Sequence, residues 1–194
     1  YIAQRLKQAY QPCLAASTDG YAELMRNGTL KCAAVLMPLV RREGEWHLVF
    51  TRRTNDGEHH KGQGSFPGGA CEAGETAEQT ALREAVEEIG LQQADVRILG
   101  RLNDVVTITH YRVAPLVGVM PWPYRFQLST VEVGCVFLIP LIWLTQRENW
   151  EEHLVTLDGA LCPFPAVIYH EYEGEVVWGA TARMVQNLIK VVFE

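Results

Sequence analysis

Residues 68–91 of the chain read GGACEAGETAEQTALREAVEEIGL. The second half of this stretch predicts a helix from Thr76 to Ile89. Thr76 is a favourable N-cap residue, and Gln79 follows three positions later, which together make a capping box. Gly90 then suits the left-handed position that closes a helix. The sequence therefore predicts a helix with well-defined ends, preceded by a glycine-rich segment.

The predicted helix has two chemically different faces. When its residues are placed at about 100° each, the apolar side chains fall in one sector and three glutamates fall opposite. These are Glu84, Glu87 and Glu88, and Arg83 lies at their edge. Clustered carboxylates repel one another and cost stability. An acidic helix face often serves only solubility, but carboxylates grouped beside a glycine-rich loop also suit a hard divalent cation.

The wider spacing resembles the Nudix box, in which glycine, glutamate and arginine recur at fixed positions along a loop and a helix. The matching positions are Gly69, Glu75, Arg83, Glu84, Glu87, Glu88 and Gly90, with apolar residues at Ala85 and Leu91. So many matched identities are improbable by chance at average residue usage. The resemblance implies an α/β/α sandwich with a mixed β-sheet. It also implies hydrolysis of a nucleoside diphosphate linked to another moiety.

The resemblance assigns roles by position. Glu84, Glu87 and Glu88 would bind Mg²⁺ or Mn²⁺, with the backbone carbonyl of Gly68 as a further ligand. Arg83, one turn before Glu87, would orient that glutamate. A general base must take a proton from the attacking water. Two candidates stay open for this base, a box glutamate such as Glu87 and the more distant Glu132. Glu75 is expected to fix the junction of loop and helix.

A second signature lies upstream of the box and resembles that of coenzyme A pyrophosphatases. Thr51, Arg53, Gly62 and the run Phe66-Pro67-Gly68-Gly69 match it in spacing, whereas Glu58 replaces an arginine of the pattern. This likeness implies cleavage of coenzyme A or acyl-coenzyme A into 3′,5′-ADP and the corresponding 4′-phosphopantetheine. The candidate substrate-binding residues are Arg52, Arg53, His60, Lys61, Gly62 and Phe66.

Glu58 keeps other substrates open, because an exchange of arginine for glutamate reverses charge and removes a bidentate donor. ADP-ribose, NADH and dinucleoside polyphosphates are the alternatives within the same enzyme class. A non-catalytic nucleotide-binding module is a further alternative, although an intact box speaks against it. The formal net charge of −6 disfavours nucleic acid as a partner.

The cysteine pattern and the apolar runs of the chain indicate its cellular compartment. The five cysteines are an odd number, widely spaced and without a CxxC motif, which predicts free thiols in a reducing compartment. A cytoplasmic location is expected, with an organellar one left open. No uninterrupted apolar run has membrane-spanning length, so no membrane partner is expected. The expected partner is a small nucleotide, and a homodimer is an open alternative.

The rest of the chain predicts one domain with an appendage. Residues 1–27 are interpreted as an N-terminal helical appendage and residues 28–194 as the Nudix hydrolase domain. Strands are predicted at residues 30–40, 46–51, 96–106, 111–119 and 133–140. Residues 52–69 are predicted to be a loop, 141–151 a helix, 173–174 a hairpin turn before a short strand, and 181–192 a terminal helix.

Overall fold

The structure is a computed structural model that describes residues 1–11, 30–54, 64–155 and 164–194. The helices in these ranges are α1 (Ile2–Ala9), α2 (Ala77–Ile89), α3 (Leu141–Thr145) and α4 (Gly179–Phe193). The strands are β1 (Lys31–Arg42), β2 (Glu45–Arg53), β3 (Gly64–Ser65), β4 (Gly68–Ala70), β5 (Arg97–Arg101), β6 (Val105–Val106), β7 (Tyr111–Val119), β8 (Val133–Pro140), β9 (Trp150–Val155) and β10 (Phe164–Tyr169). None of the helices in these ranges is long and apolar enough to cross a membrane.

The main sheet is mixed and contains eight strands, with β3, β2, β1, β7 and β5 side by side in that order. β4 pairs with β1, β6 with β7, and β8 with β2. The central pair, β1 and β7, is parallel, and the other pairs are antiparallel. β1 is apolar because both of its faces are buried, as is usual for a parallel strand.

Helices cover both faces of this sheet, so the predicted sandwich is confirmed. Alternate residues of β1 point to opposite sides. Ala34 and Leu36 pack in one cluster with α2. Met37 and Leu39 pack in a second cluster with α4. Both leucines are fully buried, and each contributes about 1.5–3 kcal/mol to folding through the apolar area it removes from water.

The ends of α2 follow the predicted capping chemistry. The side chain of Thr76 accepts a hydrogen bond from the backbone N–H of Gln79, and the Gln79 side chain accepts one from the backbone N–H of Thr76. At the other end Gly90 has a φ of 67° and ends the helix in the left-handed conformation. The predicted helix is therefore confirmed in type and in both bounds.

The prediction of a loop over residues 52–69 is wrong in part. β2 continues to Arg53, and two short strands, β3 and β4, follow. β4 pairs with residues 33–35 of β1. A Cβ on Gly68 would lie 2.4 Å from the carbonyl oxygen of Ala34. The glycines that indicated a loop are thus needed for close strand contact, which glycine permits because it lacks a Cβ.

The prediction of a helix over residues 141–151 is also wrong in part. α3 ends at Thr145, a 3₁₀ turn follows, and Trp150 begins β9. β9 pairs with β10 in a separate two-stranded sheet. Pairing with β10, the next strand along the chain, overrides the local helical pattern here. The predicted turn at residues 173–174 is confirmed, since both residues have positive φ and Tyr172 bridges to Glu175.

The N-terminal helix is attached to the terminal helix. Leu6 of α1 is fully buried in the core cluster that contains α4. The Arg5 Nε donates to the Val191 carbonyl at 2.7 Å, and the Tyr1 hydroxyl donates to the Val192 carbonyl at 3.0 Å. The predicted boundary between residues 27 and 28 lies outside the described residues.

The close of α2 yields a stability prediction. A Cβ on Gly90 would lie 2.7 Å from the Gln127 Cβ and 3.1 Å from its backbone nitrogen. Gly44 also has a positive φ, of 86°, but nothing lies within 4 Å of its Cβ position. Gly44→Ala should therefore cost only the left-handed strain, about 1 kcal/mol. Gly90→Ala should cost about 2–4 kcal/mol, because steric overlap is added.

Urea unfolding of the wild type and the two variants measures this difference. Equal midpoints for Gly44→Ala and Gly90→Ala would show that the segment at Gln127 does not press on the end of α2.

Candidate active site

The acidic face of α2 lies against the backbone of β4. A Cβ on Gly69 would lie 2.3 Å from Oε1 of Glu84, so the glycine gives the carboxylate its space. The side chain of Glu84 is 17% exposed, whereas that of Glu87 is 54% exposed. One carboxylate is thus held against the strand while its neighbour one turn on reaches solvent.

Arg83 joins the glutamates of the loop and the helix. Its Nη1 lies 2.9 Å from Glu84 Oε1 and 3.1 Å from Glu87 Oε2. Its Nε donates to Glu75 Oε1 at 2.8 Å, and its Nη2 donates to the carbonyl of Ala70 at 3.1 Å. One guanidinium therefore fixes three carboxylates and the end of β4. The contact with Glu87 has the predicted helical spacing.

Glu75 connects this network to the loop that precedes α2. Its Oε2 accepts hydrogen bonds from the backbone N–H of Glu72 at 2.9 Å and from the Thr80 hydroxyl at 2.8 Å. The hydrogen bond from Arg83 is the main reason that the pKa of Glu75 falls to about 2. The same bond raises the pKa of Arg83. This ion pair persists well below neutral pH and ties the loop to the helix.

Glu88 is buried, with 5% of its surface exposed. Its Oε1 lies 3.8 Å from an Nη of Arg53, and the backbone N–H of Gly68 hydrogen-bonds to its carboxylate. Burial raises the pKa of Glu88 to about 8, against the attraction of Arg53; nearby Glu84 and Glu132 raise it further. A buried carboxyl in acidic surroundings favours its charged form only when more positive charge is brought close.

The donor chemistry of this face suits a hard divalent cation. Carboxylate oxygens of one helix lie beside the backbone of β4, and such oxygens are the preferred ligands of Mg²⁺. The glycine at position 69 leaves the cradle that a side chain would fill. Among the residues that the structure describes, no group of three or more His, Cys, Asp or Glu side chains is arranged to hold a metal ion. Arg83 occupies the carboxylates of Glu84 and Glu87 instead.

Glu132 lies near this face, as its effect on the pKa of Glu88 shows. Its side chain is exposed, and its backbone is fixed at both polar groups. The N–H of Glu132 donates to the Ser129 carbonyl at 3.0 Å, and its carbonyl accepts from Thr54 at 3.1 Å. Since Ser129 also donates to the carbonyl of Glu88, the segment before β8 is tied to the end of α2.

The residues predicted to bind substrate fall into three groups: two arginines in ion pairs, one core phenylalanine, and three residues outside the described ranges. Arg52 is paired with Glu175 at 2.7 Å, and Arg53 faces Glu88. Phe66 is 3% exposed and its ring stacks on Phe50 at 4.7 Å, so it belongs to the core. The other three, His60, Lys61 and Gly62, lie outside the described residues, as does Glu58.

Glu175 is a residue that the sequence did not single out. Its side chain is 11% exposed, and besides Arg52 it accepts a weak hydrogen bond from the Cys135 thiol. It belongs to the hairpin after β10, far from Arg52 in sequence. The sequence predicted the adjacent turn at residues 173–174, but no feature of the sequence indicated that this turn lies close to the arginines of β2.

The described cysteines, Cys32, Cys71 and Cys135, are free thiols. Burial, with the neighbouring Cys71, raises the pKa of Cys32 to about 11, and burial also raises that of Cys135. These two thiols stay protonated at neutral pH and are poor nucleophiles.

Comparison with known families agrees with this geometry. The family model described as the NUDIX domain matches residues 30–152, which contain the sheet, α2 and Glu132. The Nudix hydrolase NudL of Yersinia enterocolitica is 33% identical over 170 residues, covering 82% of this chain and 80% of its own. NudL of Enterobacter sp. strain 638 is 35% identical over 157 residues, covering 80% of each chain. The chain belongs to the Nudix hydrolase family.

Solved structures show the same fold. A MutT/nudix family protein from Enterococcus faecalis has a TM-score of 0.54 at 12% identity, covering 92% of this chain and 76% of its own. The Nudix hydrolase RenU of M. smegmatis has a TM-score of 0.52 at 21% identity, covering 60% and 77% respectively. At these identities the likeness concerns the fold alone.

The Glu75 ion pair makes a pH-dependent contribution to stability. Since its folded pKa of about 2 lies below the ordinary value of 4.5, the contribution is present above pH 4.5 and is lost as pH falls towards 2. Glu75→Gln should therefore be less stable than the wild type at pH 6. The difference should shrink as pH falls from about 4.5 towards 2.

Denaturant unfolding of both proteins from pH 6 to pH 3 measures this difference. Glu78→Gln removes an exposed carboxylate of the same helix without touching Arg83 and serves as the control. A difference between Glu75→Gln and wild type that is independent of pH would contradict the ion-pair account.

Proposed function

We propose that this protein hydrolyses a phosphoanhydride bond in coenzyme A or an acyl-coenzyme A. The products would be 3′,5′-ADP and 4′-phosphopantetheine or its acyl form. The observation that carries the proposal of hydrolysis is the grouping of Glu84, Glu87 and Glu88 against β4, with Arg83 bridging two of them to Glu75. The choice of coenzyme A rests on the upstream sequence signature.

The proposed ligands of Mg²⁺ or Mn²⁺ are Glu84, Glu87, Glu88 and the carbonyl of Gly68. When bound, the cation would neutralise charge that develops on the phosphate oxygens. Arg83 would keep Glu84 and Glu87 in place, because its own position is fixed through Glu75 and the Ala70 carbonyl. Gly69 would keep Glu84 close to β4.

The proposed bases are both exposed to water. Glu87 is half exposed on the helix, and Glu132 is exposed beside the end of α2. Either could accept the proton of the attacking water, which must lie within hydrogen-bond reach. Arg53, 46% exposed and close to Glu88, is placed to meet a substrate phosphate near the metal ligands. Arg52, oriented by Glu175, is the second proposed cation for the substrate.

One residue, Glu58, supports a second substrate class as an alternative. Glu58 stands where the coenzyme A signature has arginine, and a carboxylate there would repel a phosphate. ADP-ribose, NADH or a dinucleoside polyphosphate would then be the substrate, with the same metal ligands. A nucleotide-binding module without catalysis is the third alternative.

The substrate proposal is tested by product analysis on an anion-exchange column. The protein is incubated with Mg²⁺ and, in parallel, with coenzyme A, acetyl-coenzyme A, ADP-ribose, NADH and a dinucleoside polyphosphate. We expect 3′,5′-ADP from coenzyme A faster than any product from the others. Cleavage of another substrate while coenzyme A stays intact would contradict the coenzyme A proposal, and no cleavage at all would favour the binding module.

Variants in the same assay separate the roles. Glu88→Gln should lower turnover by about 10²-fold or more by removing a metal ligand, whereas Glu78→Gln on the same helix should not change it. A loss of about 10²–10⁴-fold in Glu132→Gln would identify it as the base. Unchanged turnover in Glu132→Gln would assign that role to Glu87.

The two glycines of β4 provide a further prediction. A Cβ at Gly69 meets only the end of the Glu84 side chain, which can move, whereas a Cβ at Gly68 meets the backbone of Ala34 and Val35. Gly69→Ala should therefore keep the folded stability within about 1 kcal/mol but lose turnover, because Glu84 is displaced. Gly68→Ala should unfold at clearly lower urea concentration, by about 1–3 kcal/mol.

Parallel unfolding and turnover measurements decide this prediction. A Gly69→Ala protein that folds and turns over like the wild type would remove Glu84 from the proposed metal ligands.

A further inference from the structure

A cavity of about 480 Å³ lies between α1, α4 and the chain from the end of β5 to β6. Its volume is in the range of small-molecule sites. Leu102 and Val105 in its wall belong to the hydrophobic cluster on the α4 side of the sheet. α2, which carries the proposed metal ligands, packs in the cluster on the other side. The cavity is therefore separated from the acidic face of α2 by the sheet.

The lining of this cavity is strongly cationic. Arg5, Arg101, Arg183 and Lys190 all contribute to it, and Asp104 is the acidic residue among the described residues of the lining. Asp104 is already neutralised, because it pairs with Arg101 and, at 3.1 Å, with Arg112 outside the lining. Such a concentration of positive charge is notable in a chain whose formal net charge is −6.

Arg101, in the lining of the cavity, has a hydrogen-bond donor without an acceptor. Within the described ranges, its Nε is a buried nitrogen without a hydrogen-bond acceptor. Buried donors without an acceptor are rare and cost about 1–3 kcal/mol. The guanidinium lies 5.2 Å from the centre of the Tyr10 ring, which limits how it can turn. This nitrogen is closed to solvent, so a bound anion would give it an acceptor only with a rotation of the guanidinium.

The cavity is rigid on its helical side. Arg5 is oriented by its bond to the Val191 carbonyl, and Arg183 by a bond to the Pro165 carbonyl at 3.1 Å. Asn103, also in the lining, accepts a hydrogen bond from the backbone N–H of Gln11. Groups held in this way lose little conformational freedom when a ligand binds.

We propose that this cavity binds a small phosphorylated compound, at a site separate from the proposed hydrolytic centre. Several cations around one space favour a doubly charged group, and arginine forks match the oxygens of a phosphate. The phosphate could belong to a regulatory metabolite or to a remote part of the hydrolysed substrate. Both sources share the same chemistry, and kinetics distinguishes them.

The test is a titration of the full chain with inorganic phosphate, followed by backbone amide NMR shifts, with and without Mg²⁺. We expect saturable shifts at cavity residues such as Asn103 and Asn187 in both conditions. Asn187→Asp adds a negative charge to the lining and should weaken binding about tenfold or more. Lys190→Gln removes an exposed cation and should weaken it about tenfold.

Lys7→Gln is the matched control, because Lys7 is exposed on α1 and outside the lining. It should change affinity by less than about twofold. Shifts confined to α2, the absence of saturable shifts, or wild-type affinity in both Asn187→Asp and Lys190→Gln would overturn the proposal. Lys190→Gln keeps the test valid if Asn187→Asp fails to fold.

Turnover of the same variants identifies the source of the phosphate. A raised KM with unchanged kcat in Asn187→Asp would show that the cavity receives part of the substrate. Unchanged KM and kcat, together with lost phosphate binding, would show a separate ligand. Either result supports an anion site in the cavity.

Discussion

The repulsion between carboxylates on one helix is the constraint on which the rest of the site depends. Glu84, Glu87 and Glu88 lie within two turns of α2, and Glu88 is buried. Arg83 offsets part of this repulsion by binding two of them and Glu75. A bound cation, as proposed, would relieve the remaining repulsion, since buried carboxylates stay ionised only beside positive charge.

The fold serves this arrangement by fixing the helix at three places. The Arg83–Glu75 pair ties it to the preceding loop, Gly90 closes its end against Gln127, and β4 supports its acidic face. The segment from Ser129 to Glu132 then joins the end of α2 to β8. A proposed base, Glu132, is thereby brought near the proposed metal ligands although it is far from them in sequence.

Much of this could be predicted because local patterns determine it. The capping residues and the terminal glycine define α2, and the periodicities of β7 and β8 give their bounds. Residues 64–70 were missed as strands because their glycines normally indicate a loop; here they permit close contact with β1. The strand at Trp150 was missed because its partner, β10, lies outside the stretch whose local pattern indicated a helix. Separation in sequence hid the Glu175–Arg52 pair, and neither helix alone indicates the cationic cavity between α1 and α4.

A crystal structure of the protein with Mn²⁺, located by its anomalous scattering, tests the proposed metal site directly. We expect a manganese ion bound by carboxylate oxygens of Glu84, Glu87 and Glu88 and by the carbonyl of Gly68, with Arg83 still paired to Glu75. Manganese bound elsewhere, or none at this face at a concentration that supports turnover, would contradict this proposal.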